Sequence, residues 1–175
     1  MIEKWSACTA QAIKRIVPHH PASEAVLKYA LEGVYNALLI IVGTLLISAF
    51  TGRTAEAVTI LISFALLRQI SGGKHLKSGV GCVIFTTAAF TLLSWIRPDM
   101  GLTQILNVIS LLLVSKYAPS RIEQQSRIPR AYYPVLKIMA ALLIGINFVV
   151  ASPVIAVSFF AQALTLIHFP RREVI

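Results

Sequence analysis

From Ile138 to Pro170 the chain runs through 33 residues without a formally charged side chain. As one straight helix this run would rise about 50 Å, far past the ~30 Å hydrocarbon core that ~20 residues suffice to cross. The run must turn. Ala151-Ser152-Pro153 supplies the break, because proline has no amide donor and disfavours helix at the residue before it. A hairpin of two apolar helices is predicted on either side.

Further uncharged runs cover Gly33 to Gly52, Ala57 to Leu67, Gly79 to Ile96 and Met100 to Ser115. Ala57 to Leu67 is short for a crossing, but Glu56 and Arg68 at its ends can snorkel toward the headgroups. Six spans result, at 24–50, 54–70, 79–96, 101–117, 132–150 and 153–169. The expected fold is all-α: a polytopic membrane protein with about six transmembrane helices, forming a single integral membrane domain over 1–175. Composition agrees, with 57% hydrophobic and 13% charged residues, where a soluble domain carries about 25% charged.

Sixteen Lys and Arg against seven Asp and Glu give a net charge of +9, a balance open to nucleic acid, an anionic membrane face or an acidic substrate. Position decides between them. Lys4, Lys14, Arg15 and Lys28 precede or open the first span. Arg68, Lys74 and Lys77 lie between the second and third, Lys116, Arg121, Arg127, Arg130 and Lys137 around the loop between the fourth and fifth, and Arg171 and Arg172 after the sixth. Only Arg53 and Arg97 fall in the remaining loops, and fourteen against two places both termini and the loop holding His75 in the cytoplasm by the positive-inside rule. The bilayer explains the charge, and no nucleic acid partner is expected.

Before the first span, Ile2, Trp5, Cys8, Ala12, Ile13 and Ile16 recur at helical spacing opposite Glu3, Lys4, Gln11, Lys14 and Arg15. Residues 1–20 therefore read as an interfacial amphipathic helix, neither a signal peptide nor a span. Cys8 and Cys82 have no CxxC spacing, and His19, His20 and His168 have no accompanying carboxylate cluster. No metal site, disulfide framework or cofactor is expected. Cys8 reads as a small packing or lipid-facing thiol.

Chemistry concentrates in Arg68 to Cys82, which gathers a thiol, an imidazole and several glycines. A cysteine attacks carbonyls as its thiolate, and a neighbouring histidine can take the proton and later protonate the leaving amine. His75 and Cys82 are the required types. Seven residues of unbroken helix would separate them by about 10 Å along the axis, where proton transfer needs ~3 Å. The histidine must fold back over the start of the third span, and Gly72, Gly73, Gly79 and Gly81 give the backbone that freedom. Lys74 and Lys77 add positive potential, or anchor to anionic lipid. By spacing alone, Cys82 also reads as a packing residue and His75 as an interfacial one.

The pattern of Arg68, Gly73, His75 and Cys82 resembles that of the accessory gene regulator B family, membrane cysteine endopeptidases of bacterial quorum sensing. Ser71-Gly72-Gly73-Lys74-His75 looks like the fuller form. Tyr117-Ala118-Pro119 is similar to the family's short motif after the fourth span, and Tyr29-Ala30-Leu31-Glu32 to a frequent first-span motif. The departure is Ser120-Arg121-Ile122-Glu123, in place of an acidic and then Lys-Pro-containing loop. The resemblance implies cleavage of a short amphipathic signal propeptide and its closure to a cyclic thiolactone or lactone, in the bacterial cell membrane, with Cys82 as nucleophile and His75 as base and then acid. A homodimer is compatible with it.

Glu32, inside the first span, reads either as an i, i+4 partner of Lys28 or as a third group orienting His75. Arg68 either snorkels or binds an acidic group of the propeptide, and Gly73 belongs to the same orienting or binding set. Arg127, Arg130 and Lys137 form a basic surface that either holds an acidic peptide tail or reflects positive-inside bias alone. The alternative from another class is a non-enzymatic transporter or peptide-export partner, with Asn36, Asn107, Asn147 and Gln162 lining a pathway or joining helices.

Overall fold

The computed structural model describes residues 1–19, 21–73, 78–120, 122 and 128–167. Among them the regular structure is helical: α1 (Ile2–Ile16), α2 (Glu24–Thr51), α3 (Thr54–Ser71), α4 (Gly79–Leu93), α5 (Met100–Tyr117), α6 (Tyr133–Val150) and α7 (Pro153–Leu164), with a 3-10 turn at Arg130–Tyr132. The β-type pairing among the described residues is a lone parallel bridge between Gly72 and Ser120. Two compact units divide the chain, Met1–Gly52 with His75–Thr91, and Arg53–Lys74 with Leu92–Ile175.

Helix ends follow local chemistry. Ser23, Asp99 and Ser152 cap α2, α5 and α7 by accepting the amides of Val26, Leu102 and Ile155, each satisfying a donor the first turn leaves open. The hairpin between α6 and α7 turns where the sequence indicates. Ala151 adopts a left-handed conformation at φ 52°, Ser152 caps, and Pro153 occupies the first turn of α7.

Four segments are long and apolar enough to cross a bilayer: Glu24–Thr51, Thr54–Ser71, Met100–Tyr117 and Arg130–Val150. The third and sixth predicted spans come out shorter than read from sequence, since α4 has 15 residues and α7 has 12. Their apolar sequence continues but the α-helix does not. After α4, Trp95 and Ile96 donate to Leu92 and Leu93; after α7, Thr165, Leu166 and Ile167 donate to Gln162, Ala163 and Leu164. These i to i−3 bonds tighten the last turn into 3-10 geometry, and Pro98 prevents Arg97 from resuming a helix.

In the first unit α1 lies along α2. The buried stripe is Ile2, Ser6 and Ala10, held by a 2.9 Å hydrogen bond between Thr9 Oγ1 and the Tyr35 hydroxyl and by the edge-on ring of Trp5 against Tyr35. The predicted apolar face is thus split. Ile2 packs inward, while Trp5, Cys8 and Ile16 stay exposed, because small Ser6 and Ala10 permit closer helix approach than the larger side chains would.

In the second unit α7 packs against α3, α5 and α6, around a core of Leu67, Val114, Ala140, Ile144, Phe159 and Ala163. The burial pattern is the reverse of a soluble bundle. Ser63, Thr103, Asn107, Ser110, Asn147, Ser158 and Gln162 are buried, while Ile62, Leu66, Leu112, Leu142 and Val149 are exposed. Lipid satisfies the outward apolar faces, so association rests on close packing and interhelical hydrogen bonds. Ser63 bonds Ser158 at 2.7 Å, and Asn147 bonds Asn107 at 2.9 Å.

Candidate functional site

Cys82 sits in the first turn of α4. Ser78 makes that turn: its carbonyl accepts the Cys82 amide at 2.9 Å and its hydroxyl accepts the Gly81 amide at 3.2 Å. A hydroxyl residue just before an apolar helix is a recognised start signal, and it was available in Ser78-Gly79-Val80-Gly81. The Cys82 thiol is half-buried, with Sγ 3.9 Å from Thr86 Oγ1 one turn along. A Cβ at Gly79 would lie 3.3 Å from Asn36 Oδ1 and 3.7 Å from Ile2 Cδ1. The glycine therefore lets α2 and the N-terminus of α1 approach the turn that carries the thiol. Asn36 Oδ1 is buried without a hydrogen-bond partner.

Glu32 belongs to the same unit. Lys28 Nζ lies 3.7 Å from Glu32 Oε1, and the Ser6 hydroxyl donates to that oxygen at 3.4 Å. The i, i+4 pair expected from sequence is present, and α1 adds a second partner. Glu32 and Cys82 share no hydrogen bond among the described residues. His75, with Lys74 and Lys77, lies outside the described residues, as does Arg127.

Arg68 and Gly73 come together in the other unit. Where α3 ends, Gly72 has φ 73° and Gly73 φ 131°, values that glycine adopts without the penalty a Cβ brings. The Ser71-Gly72-Gly73 strap pairs with the chain after α5. Gly73 N donates to Ser120 O and Ser120 N to Ser71 O, both at 2.9 Å. A Cβ on Gly72 would stand 2.1 Å from Ser120 O, and one on Gly73 would stand 2.6 Å from Thr165 Oγ1 and 3.3 Å from Arg68 Nη1. Gly72 is required sterically as well as conformationally, while at Gly73 the constraint is the backbone conformation and the side chains crowded around it.

Beneath the strap is Gln162 of α7, fully buried. It accepts from Arg68 Nη1 at 3.3 Å and donates to Ser71 Oγ at 3.1 Å and to Gly72 O at 2.7 Å. Arg68 also lies over the Phe64 ring, 5.9 Å from its centroid. Sequence reading placed Gln162 only among polar residues lining a pathway or joining helices. With Asn107 and Asn147 it joins helices. Ser120 was read only as the start of the departing loop, and its anchoring role leaves no local signal because it uses main-chain atoms across a long sequence separation.

Apolar outer faces, buried polar rungs, and a thiol on a capped first turn define a multi-pass membrane protein with a candidate nucleophile at the start of one helix. The glycine strap, which precedes that helix in sequence, is anchored within the second unit. The chain belongs to the accessory gene regulator B family, whose model matches residues 6–168. A protein of Halalkalibacterium halodurans named as AgrB-like is 28% identical over 120 residues, which cover 68% of this chain and 61% of that relative. The match thus spans less than two thirds of the relative's length. No solved structure matches the chain.

Proposed function

We propose that the protein is a membrane-embedded cysteine endopeptidase that cleaves a short amphipathic propeptide at its C-terminal side and cyclises it to a thiolactone or lactone signal. The observation that carries this reading is the half-buried Cys82 thiol on the capped first turn of α4, within a chain that belongs to this family. Cys82 as thiolate attacks the scissile carbonyl carbon. A C–S bond forms, the peptide C–N bond breaks, and His75 passes the proton it took from sulfur to the leaving amine. The thioester keeps the carbonyl activated. An internal thiol or hydroxyl of the peptide then attacks it, losing its proton through His75 to the departing Cys82 sulfur, and the ring closes with the enzyme regenerated.

Ring closure wins over hydrolysis when the internal nucleophile is held near the thioester and water is not, and a site at the membrane surface favours both. In this reading six helices cross the bacterial cell membrane, with termini and catalytic loop cytoplasmic, as the basic loops suggest. The buried bonding of Asn107, Asn147 and Gln162 weighs against a transport pathway lined by them.

Co-expression with the peptide encoded by a small open reading frame beside the gene tests the proposal, with mass spectrometry of cell extracts and medium. Release of a truncated product lighter by one water, lost in Cys82→Ala and kept in Cys8→Ala at equal membrane levels, is the expected result. The same product from Cys82→Ala would overturn the assignment.

A further inference from the structure

The carboxamide of Gln162 has two donors and an acceptor oxygen with two lone pairs, and every one is used inside the protein. Nε2 donates to Ser71 Oγ and to Gly72 O, while Oε1 accepts from Arg68 Nη1 at 3.3 Å and takes the longer branch, at 3.1 Å, of a bifurcated bond from the single Thr165 hydroxyl proton. Thr165 is itself fixed, donating to Gln162 O at 2.7 Å. Two of the four partners are the strap and a third is the arginine one turn before it. The side chain is fully buried, where an unmatched polar group is costly. No other natural side chain of this length offers two donors and two acceptors, since glutamate lacks the donors and methionine has neither.

We infer that Gln162 is a positioning residue for the proposed peptidase, setting the backbone of Ser71 to Gly73 from which the chain continues, two residues on, to His75. This inference rests on the function proposed above. One turn can be compared with another on the same helix pair. Ser63 and Ser158 also join α3 to α7, through a buried 2.7 Å bond, but touch neither the strap nor Arg68. Loss of that rung weakens helix association alone. Loss of the Gln162 rung also frees the strap, and its signature falls on turnover more than on substrate binding.

The test uses full-length protein in lipid nanodiscs and the adjacent-frame peptide, synthesised with an N-terminal fluorophore. Wild type, Gln162→Met, Gln162→Glu and Ser158→Ala are compared for kcat, KM and thermal unfolding. Met keeps the volume without the bonds; Glu keeps an acceptor for Arg68 but turns an oxygen toward Gly72 O. Both should lower kcat tenfold or more with KM within twofold, while Ser158→Ala keeps the wild-type kcat despite its own loss of thermal stability. A wild-type kcat in either Gln162 variant overturns the inference, as does a fall in Ser158→Ala that matches theirs. Absence of any Cys82-dependent cleavage by the wild type rejects the peptidase reading, and this inference with it; an unchanged kcat in the Gln162 variants beside an active wild type rejects this inference alone.

Discussion

Gly72→Ala should open the strap without dismantling the bundle. The added Cβ would sit 2.1 Å from Ser120 O, a carbonyl that cannot rotate away as a side chain would. The residue would also be held at φ 73° and ψ −144°, a region costing roughly 1–3 kcal/mol for a residue with a Cβ. Relief of the clash breaks the bonds from Gly73 N to Ser120 O and from Ser120 N to Ser71 O, each worth about 0.5–1.5 kcal/mol net. Together these amount to about 2–6 kcal/mol of local stability, at ~1.4 kcal/mol per tenfold in an equilibrium constant. Amide hydrogen exchange in nanodiscs reads this directly, because local opening exposes the Gly73 and Ser120 amides. They should exchange about 30-fold faster than in wild type or more, while the Asn147 region of α6 is unchanged. Gly33→Ala is the control: a Cβ there meets nothing within 4 Å, and alanine in a helix interior gains about 0.5–1 kcal/mol. Exchange at Gly73 and Ser120 within about threefold of wild type, under a half-decade on this scale, would refute the reasoning.

Two further outcomes follow from other parts of the molecule. In a variant lacking both native cysteines, Asp99→Cys should react with an impermeant maleimide on intact cells and Ser78→Cys only after permeabilisation; labelling of Ser78→Cys from outside would reverse the orientation. Asn147→Leu removes the donor to Asn107 Oδ1 and the acceptor for the Ser152 amide, and should cost about 1–3 kcal/mol. The Asn107→Leu/Asn147→Leu double variant should be less destabilised than the sum of the singles in thermal unfolding, and strict additivity would mean the pair is not coupled.

Much of the architecture was legible in the sequence because charge and proline mark the ends of apolar helices. The starts at Glu24, Thr54 and Gly79 and the break at Ala151 to Pro153 follow from such marks. Where the reading overran, past Leu93 and Leu164, hydropathy continued past a change in hydrogen-bond pattern that composition does not record. On α1 the periodicity identified the helix, but which stripe faces α2 depended on the small size of Ser6 and Ala10. The candidate cysteine was legible by residue type, while the serine that makes its turn was a signal the reading left unused. Support for the strap was harder to see. Gln162 lies 90 positions from Gly72, and only the packed helices make one turn the floor of the other.

The strap's other anchor has a different consequence. Ser120 holds it with a peptide N–H and a peptide C=O, groups that nearly every residue carries. The chain beyond Pro119 is also where the sequence departs most from the pattern it otherwise resembles. The two bonds themselves do not depend on side-chain identity, although Ser120 and Ile122 are both buried and packing limits their size. A graft that keeps Ser120 and the buried Ile122 and changes only the charge of the residues around them should leave the glycines' seat undisturbed. Loop charge and framework are separable here because the fastening is made of backbone.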